Sequence, residues 1–131
     1  MTISNNNFDS PTYASQNGGI GYFSGSVLTL TSASVTFYNN YASAGNGGAF
    51  YFTNTVSATM TFTSPSINTV RANVDGGFLY GTGTGNFDIT FTNMNALTLS
   101  TTTGSGGIFC LTNTGTSTIA MTGATINPSV A

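Results

Sequence analysis

The chain has 131 residues, and only Arg71, Asp9, Asp75 and Asp88 are charged: 3% of the sequence, a net charge of -2 and no histidine, where an ordinary globular domain carries about a quarter. That balance lacks the Lys/Arg footprint which nucleic acid and anionic lipid surfaces require, and no apolar run approaches the roughly 20 residues of a membrane-spanning helix. A single cysteine, Cys110, permits no internal disulfide and leaves the redox compartment open, while 39% hydrophobic residues with ten Phe and six Tyr support one folded, β-rich domain rather than a disordered chain.

In chain order, the first coil, 1–26, opens on MTISNNNF (1–8) and reaches the doublet Gly18-Gly19 followed by IGYF (20–23). The second, 27–57, reads LTLTSASV (28–35), a weaker apolar segment at Val35 and Phe37, Gly47-Gly48 and AFYF (49–52). The third, 58–85, repeats this as MTFTSPSI (60–67), Ile67 and Val70, Gly76-Gly77 and FLYG (78–81). The fourth, 86–117, gives ITFTNMNA (89–96), Leu97 and Leu99, Gly106-Gly107 and IFCL (108–111), and a partial fifth, 118–131, begins IAMTGATI (119–126). The doublets recur at intervals of 29, 29 and 30 residues. Self-similarity at such a period is the signature of a repeat architecture.

Within the first phrase of each coil, alternation of period two defines a strand with one apolar and one polar face. Aligning the phrases directly places Leu28 and Leu30 with Met60 and Phe62, Ile89 and Phe91, and Ile119 and Met121 on the core face, with Met1 in the Ile119 column. Thr29, Thr31, Thr61, Thr63, Thr90, Thr92, Ala120 and Thr122 fall on the other face. Three short strands per coil of about 30 residues, with turn chemistry between them and no helical period, predict an all-β, right-handed parallel β-helix. The hand follows from the general rule for parallel crossovers. Stacked coils set like residue on like at about 4.8 Å, which explains the missing charge: columns of Thr, Asn and Phe pack, whereas columns of one charge repel. An antiparallel sandwich would instead need hairpin turns.

The doublets Gly18, Gly19, Gly47, Gly48, Gly76, Gly77, Gly106 and Gly107 are read as one corner of successive coils. Phe37 and Asn40, followed by Gly47-Gly48-Ala49-Phe50, resemble the repeat of the chlamydial polymorphic outer-membrane proteins. The strand phrases are similar to β-helical repeats of large adhesins and protist surface proteins. The resemblance implies an extracellular, non-enzymatic surface β-helix.

The residues themselves point away from catalysis. Asp9, Asp75 and Asp88 fall at different phases of the repeat, Arg71 and Asp75 suit a surface ion pair, and without His or paired Cys the usual zinc and nucleophile constellations are missing. No enzyme activity, metal or cofactor is expected. After each doublet both faces of the strand are apolar, so Tyr22, Tyr51 and Tyr80, with Cys110 at the equivalent place, form a candidate assembly or binding face, although Cys110 alone reads as a small buried hydrophobe. Neither end carries a polar cap, which suits either capping residues outside these 131 or open ends that pair with further copies. The expected function is a structural building block of an extracellular fibre or cell-surface adhesin, self-associating through open ends or the aromatic face. Two alternatives stand beside it. The Thr-x-Thr face is similar to those of β-solenoid antifreeze proteins, and the tyrosines suit a carbohydrate-binding module. No Asn-x-Ser/Thr sequon occurs apart from one blocked by Pro128, so any sugars carried would be O-linked on the Thr/Ser columns.

Overall fold

A computed structural model describes residues 2–4, 7–14, 17–25, 27–53 and 56–127, with side chains described from residue 17 onward except at 97 and 98. Met1 lies outside the described residues, and so do the side chains of Phe8, Asp9 and Leu97. Fourteen strands follow in chain order: β1 (Thr2–Ser4), β2 (Asn7–Ala14), β3 (Gly21–Ser24), β4 (Val27–Ala33), β5 (Thr36–Ala42), β6 (Phe50–Thr53), β7 (Ser57–Thr63), β8 (Ser66–Ala72), β9 (Leu79–Gly83), β10 (Asn86–Thr92), β11 (Asn95–Thr101), β12 (Phe109–Asn113), β13 (Ser117–Thr122) and β14 (Thr125–Asn127). They form three parallel sheets in the orders β1-β4-β7-β10-β13, β14-β11-β8-β5-β2 and β12-β9-β6-β3. Every third strand is hydrogen-bonded to its equivalent one coil away. The chain is a β-solenoid of stacked coils of about 30 residues, and no helix occurs among the described residues.

The glycine doublet shows why the sequence repeats. Gly47 has φ +67°, a left-handed conformation shared by Gly18, Gly76 and Gly106, and it is the first member of each doublet that takes it. The second member serves a different need. A Cβ on Gly48 would overlap the carbonyl oxygens of Gly77 and Arg71, and one on Gly77 would overlap that of Gly107. Successive coils are thus held at a separation that only a residue without a side chain permits. Backbone bonds close the same corner, with Gly47 N-H donating to Asp75 O at 2.8 Å and Gly48 N-H to Gly76 O at 3.1 Å.

A second bend joins the first two sheets. Ser34, Ser64 and Asn93 take φ of 52°, 50° and 53°, and Gly123 follows at 63°. This column fixes the register of the first sheet, which differs from the direct alignment of the phrases: Leu30, not Leu28, pairs with Met60, and Leu28 pairs with Ala58. A two-residue slip keeps every side chain on its own face, so alternation alone could not distinguish the two registers. One consequence is that Ser32 faces the core in the column of Phe62, Phe91 and Met121.

The core fills the space between the three sheets with aromatic and aliphatic side chains. Phe37, Phe50, Phe52, Phe62, Phe78, Phe87 and Phe91 are fully buried with Leu30, Met60, Ile67 and Ile89, each such side chain contributing about 2–3 kcal/mol of burial. Rings stack within a sheet, as Phe62 does on Phe91 (centroids 4.8 Å apart, 8° between planes) and Phe23 on Phe52 (5.0 Å, 11°). Across sheets they meet edge to face, as in Phe37–Phe50 (5.7 Å, 81°) and Phe37–Phe62 (6.3 Å, 70°), both arrangements suiting the aromatic quadrupole. Side-chain volume is traded between neighbours: Phe87 rests in register on Ala58, and its ring occupies the room left by Gly81.

Three substitutions test this packing through the denaturant midpoint at unchanged m value. Gly48→Ala should destabilise by about 2–3 kcal/mol, since rigid backbone must move, whereas Gly107→Ala, whose new methyl would meet, among the described residues, only Leu99 O at 4.0 Å, should stay within about 0.5 kcal/mol. Ser32 Oγ is buried without a hydrogen-bond partner, so Ser32→Ala should stabilise by about 1 kcal/mol.

Candidate functional site

On the outer face of the third sheet the register places Tyr22, Tyr51, Tyr80 and Cys110 in one column. Parallel in-register strands force like side chains together, and the three phenol rings accordingly stack. Tyr22 and Tyr51 lie 5.1 Å apart at 7°, and Tyr51 and Tyr80 lie 5.1 Å apart at 13°. Tyr22 is exposed, Tyr51 and Tyr80 are half-buried, and the hydroxyls of Tyr80 and Thr112 stand 3.3 Å apart at hydrogen-bond distance. Because the rings cover one another, the column offers edges and hydroxyls rather than open ring faces. Cys110 is half-buried rather than a core residue, because the position three residues after each doublet points outward.

Burial pushes the Tyr51 phenol above the ordinary tyrosine range, the neighbouring Tyr80 and Tyr22 add to this, and a hydrogen bond with the Thr53 side chain opposes it. Burial likewise raises the Cys110 thiol, with a smaller contribution from the Asp75 carboxylate. A partly buried thiol with a raised pKa is a weaker nucleophile at neutral pH than a free one.

A second column runs along the corner beside the doublets, and the sequence reading did not single it out. The N-H of Asn46 donates to Oδ1 of Asn17 at 2.8 Å, that of Asp75 to Oδ1 of Asn46 at 2.9 Å, and that of Ser105 to Oδ1 of Asp75 at 2.6 Å. Its signal was the residue before each doublet: Asn, Asn, Asp and Ser, all short oxygen-bearing side chains. Asp75 is therefore part of this ladder instead of an ion pair with Arg71. Arg71 lies over the ring of Tyr41, its register partner, at 5.2 Å from the centroid.

The threonine face of the first sheet resolves into three columns. Thr31, Thr61 and Thr90 align with Ala120; Thr63, Thr92 and Thr122 align with Ala33; and Thr29 and Thr59 align with Asp88 and Thr118. Thr29, Thr31, Thr63, Thr90 and Thr122 are exposed, and Thr61 and Thr92 half-buried. Thr29 is therefore two residues out of register with Thr61, not beside it. The doublets form the corner column already described. Asp75 sits at that corner and Asp88 on the threonine face, and no group of three or more His, Cys, Asp or Glu side chains that would hold a metal occurs among the described residues. No described helix is long and apolar enough to cross a membrane.

Comparison with protein-family models, with curated proteins and with solved structures finds no match to this chain.

The tyrosine column gives the fold a defined alkaline response. Below about pH 10 both the folded and unfolded chains hold the Tyr51 proton; above it the unfolded chain releases its proton first, so folding stability falls as pH rises. Thermal melts between about pH 8 and about pH 11 should show that fall, and Tyr51→Phe should show a smaller one. Alkylation of Cys110 by iodoacetamide at neutral pH should be several-fold slower in the folded protein than in the denatured one.

Proposed function

We propose that this chain is a structural β-solenoid element of an extracellular fibre or cell-surface adhesin, extended by adding rungs to the end that carries β12, β13 and β14. The observation that carries the reading is the state of that end. Ile119 and Met121 are 36% and 46% exposed, whereas Met60, Ile89, Phe62 and Phe91 in the same columns are buried to within 1%. A row of strand edges and apolar side chains in a fixed register is a template for another strand of the same kind. Gly107 supports the same reading. Its own surroundings leave room for a methyl, yet the equivalent Gly48 and Gly77 are sites where the next rung's carbonyl excludes one. Glycine at this place suits a further rung above it. A repeating contact of this sort is heterologous and builds filaments.

The uniform columns and the scarcity of charge suit such a role, because each rung added repeats the environment of the last. The tyrosine column is the lateral face of the same element. Within this column a sugar stacking on aromatic faces would find Tyr22 as the one exposed ring, Tyr51 and Tyr80 being half-buried and stacked, so the carbohydrate-binding reading has less support. The threonine columns favour one second reading, ice binding, through a regular array of methyls and hydroxyls that Asp88 and Ala120 interrupt. Thermal hysteresis of the purified protein would establish it, and its absence would remove it.

Negative-stain microscopy and sedimentation of the wild-type chain beside Gly107→Ala test the principal reading. Filaments or end-to-end oligomers in the wild type, lost in a Gly107→Ala protein that keeps its circular dichroism spectrum, are the expected outcome. A wild-type protein that remains monomeric, or a variant that assembles equally well, would refute end-on extension. Labelling of the intact producing cells with an antibody to the chain should stain their surface or the surrounding material.

A further inference from the structure

We propose that Tyr51 and Tyr80 form an oxidative cross-linking site, at which a one-electron oxidant of the peroxide-driven type joins consecutive rungs by a carbon–carbon bond between the two phenol rings. Three features of the column carry this. The rings lie 5.1 Å apart and 13° from parallel, so each holds the other at an effective concentration no dissolved partner approaches. Their strands are locked in register by the ladder between β6 and β9, which keeps equivalent ring atoms together. Both side chains are half-buried on an outer face, with the Tyr80 hydroxyl held by Thr112, so the reacting edges border solvent.

In the reaction each phenol gives up one electron and its hydroxyl proton. The two phenoxyl radicals then join at the ring carbons ortho to oxygen. The hydrogen displaced from each of those carbons moves to the phenol oxygen as the rings regain aromaticity. Two electrons and two protons leave in total, and one hydrogen peroxide accepts them to become two waters. The product is a covalent staple running parallel to the hydrogen-bond ladder. Tyr22 stacks on Tyr51 with the same 5.1 Å separation and competes for the same ring.

The sequence supplies a direct assay. Arg71 is the only lysine or arginine, and Tyr80 is the only tyrosine after it. Trypsin therefore cuts the denatured chain into fragments 1–71 and 72–131, and a bond between Tyr51 and Tyr80 holds them together. Treat the folded, dilute protein with peroxidase and hydrogen peroxide, isolate the species of monomer mass, denature and reduce it, then digest it. A fraction of the fragments should remain joined and show dityrosine fluorescence. Tyr51→Phe should abolish the joined species, because Tyr22 and Tyr80 are then two rungs, or about 9.6 Å, apart. Tyr22→Phe should increase it, and Tyr41→Phe should leave it unchanged. Complete separation of the fragments in both wild type and Tyr22→Phe, or joined fragments that persist in Tyr51→Phe, would overturn the assignment. Linkage found only in species of dimer mass would overturn it as well, placing the reaction between molecules.

Discussion

At one corner of the first three rungs the backbone of the next rung occupies the place where a side chain would stand. The carbonyl of Gly77 lies where a Cβ of Gly48 would be, and the carbonyl of Gly107 where a Cβ of Gly77 would be. This contact sets how closely the rungs approach and which residue faces which. The preceding glycine, with its positive φ, turns the chain into the corner, and the Asn17–Asn46–Asp75–Ser105 ladder ties the same corner from the outside. Backbone bonds and side-chain bonds there run in opposite directions: Gly47 N-H donates to the rung after it, and Asn46 N-H to the rung before it. Each rung is therefore held to both neighbours by groups that would otherwise be unsatisfied.

Once the register is fixed, each column must tolerate its own residue type one strand spacing away. Phe on Phe and Tyr on Tyr do so by stacking, and Asn on Asn by passing a hydrogen bond along. Thr on Thr does so by packing its methyls. A run of like charges would not. The charged side chains among the described residues are isolated among neutral neighbours: Asp88 between Thr59 and Thr118, Asp75 within the amide ladder, and Arg71 over the ring of Tyr41. Where identical residues would not fit, volume is shared, as Phe87 fills the room that Gly81 and Ala58 leave.

Much of this was legible before the structure, for a physical reason. The doublets are dictated by backbone geometry, which only glycine satisfies, so they keep their spacing and expose the period. The same offset marks the tyrosine column, because Tyr22, Tyr51, Tyr80 and Cys110 each stand three residues after the second glycine. The register of the first sheet was misread by two residues between the second and third coils, since a pattern of period two is unchanged by such a slip. The bend at Ser34, Ser64, Asn93 and Gly123 would have corrected it. Its signal is faint, because only Asn and Gly announce a left-handed residue and two of the four positions carry Ser. Arg71 was paired with Asp75 from proximity in sequence, whereas in a solenoid the nearest neighbour of a side chain is about 30 residues away.

The tyrosine column, the exposed Ile119 and Met121 of β13 and the threonine face all exist only because neighbouring strands run in the same direction with equivalent residues side by side. Backbone nuclear Overhauser contacts in an isotopically labelled sample measure this directly. Equivalent residues should show sequentially advancing amide-to-α-proton contacts along the series Leu30–Met60–Ile89–Ile119, with Gly48 close to Gly77. Strong contacts between α-protons of facing residues, with the register running in reverse along the partner strand, would show antiparallel pairing and contradict the rung-on-rung architecture.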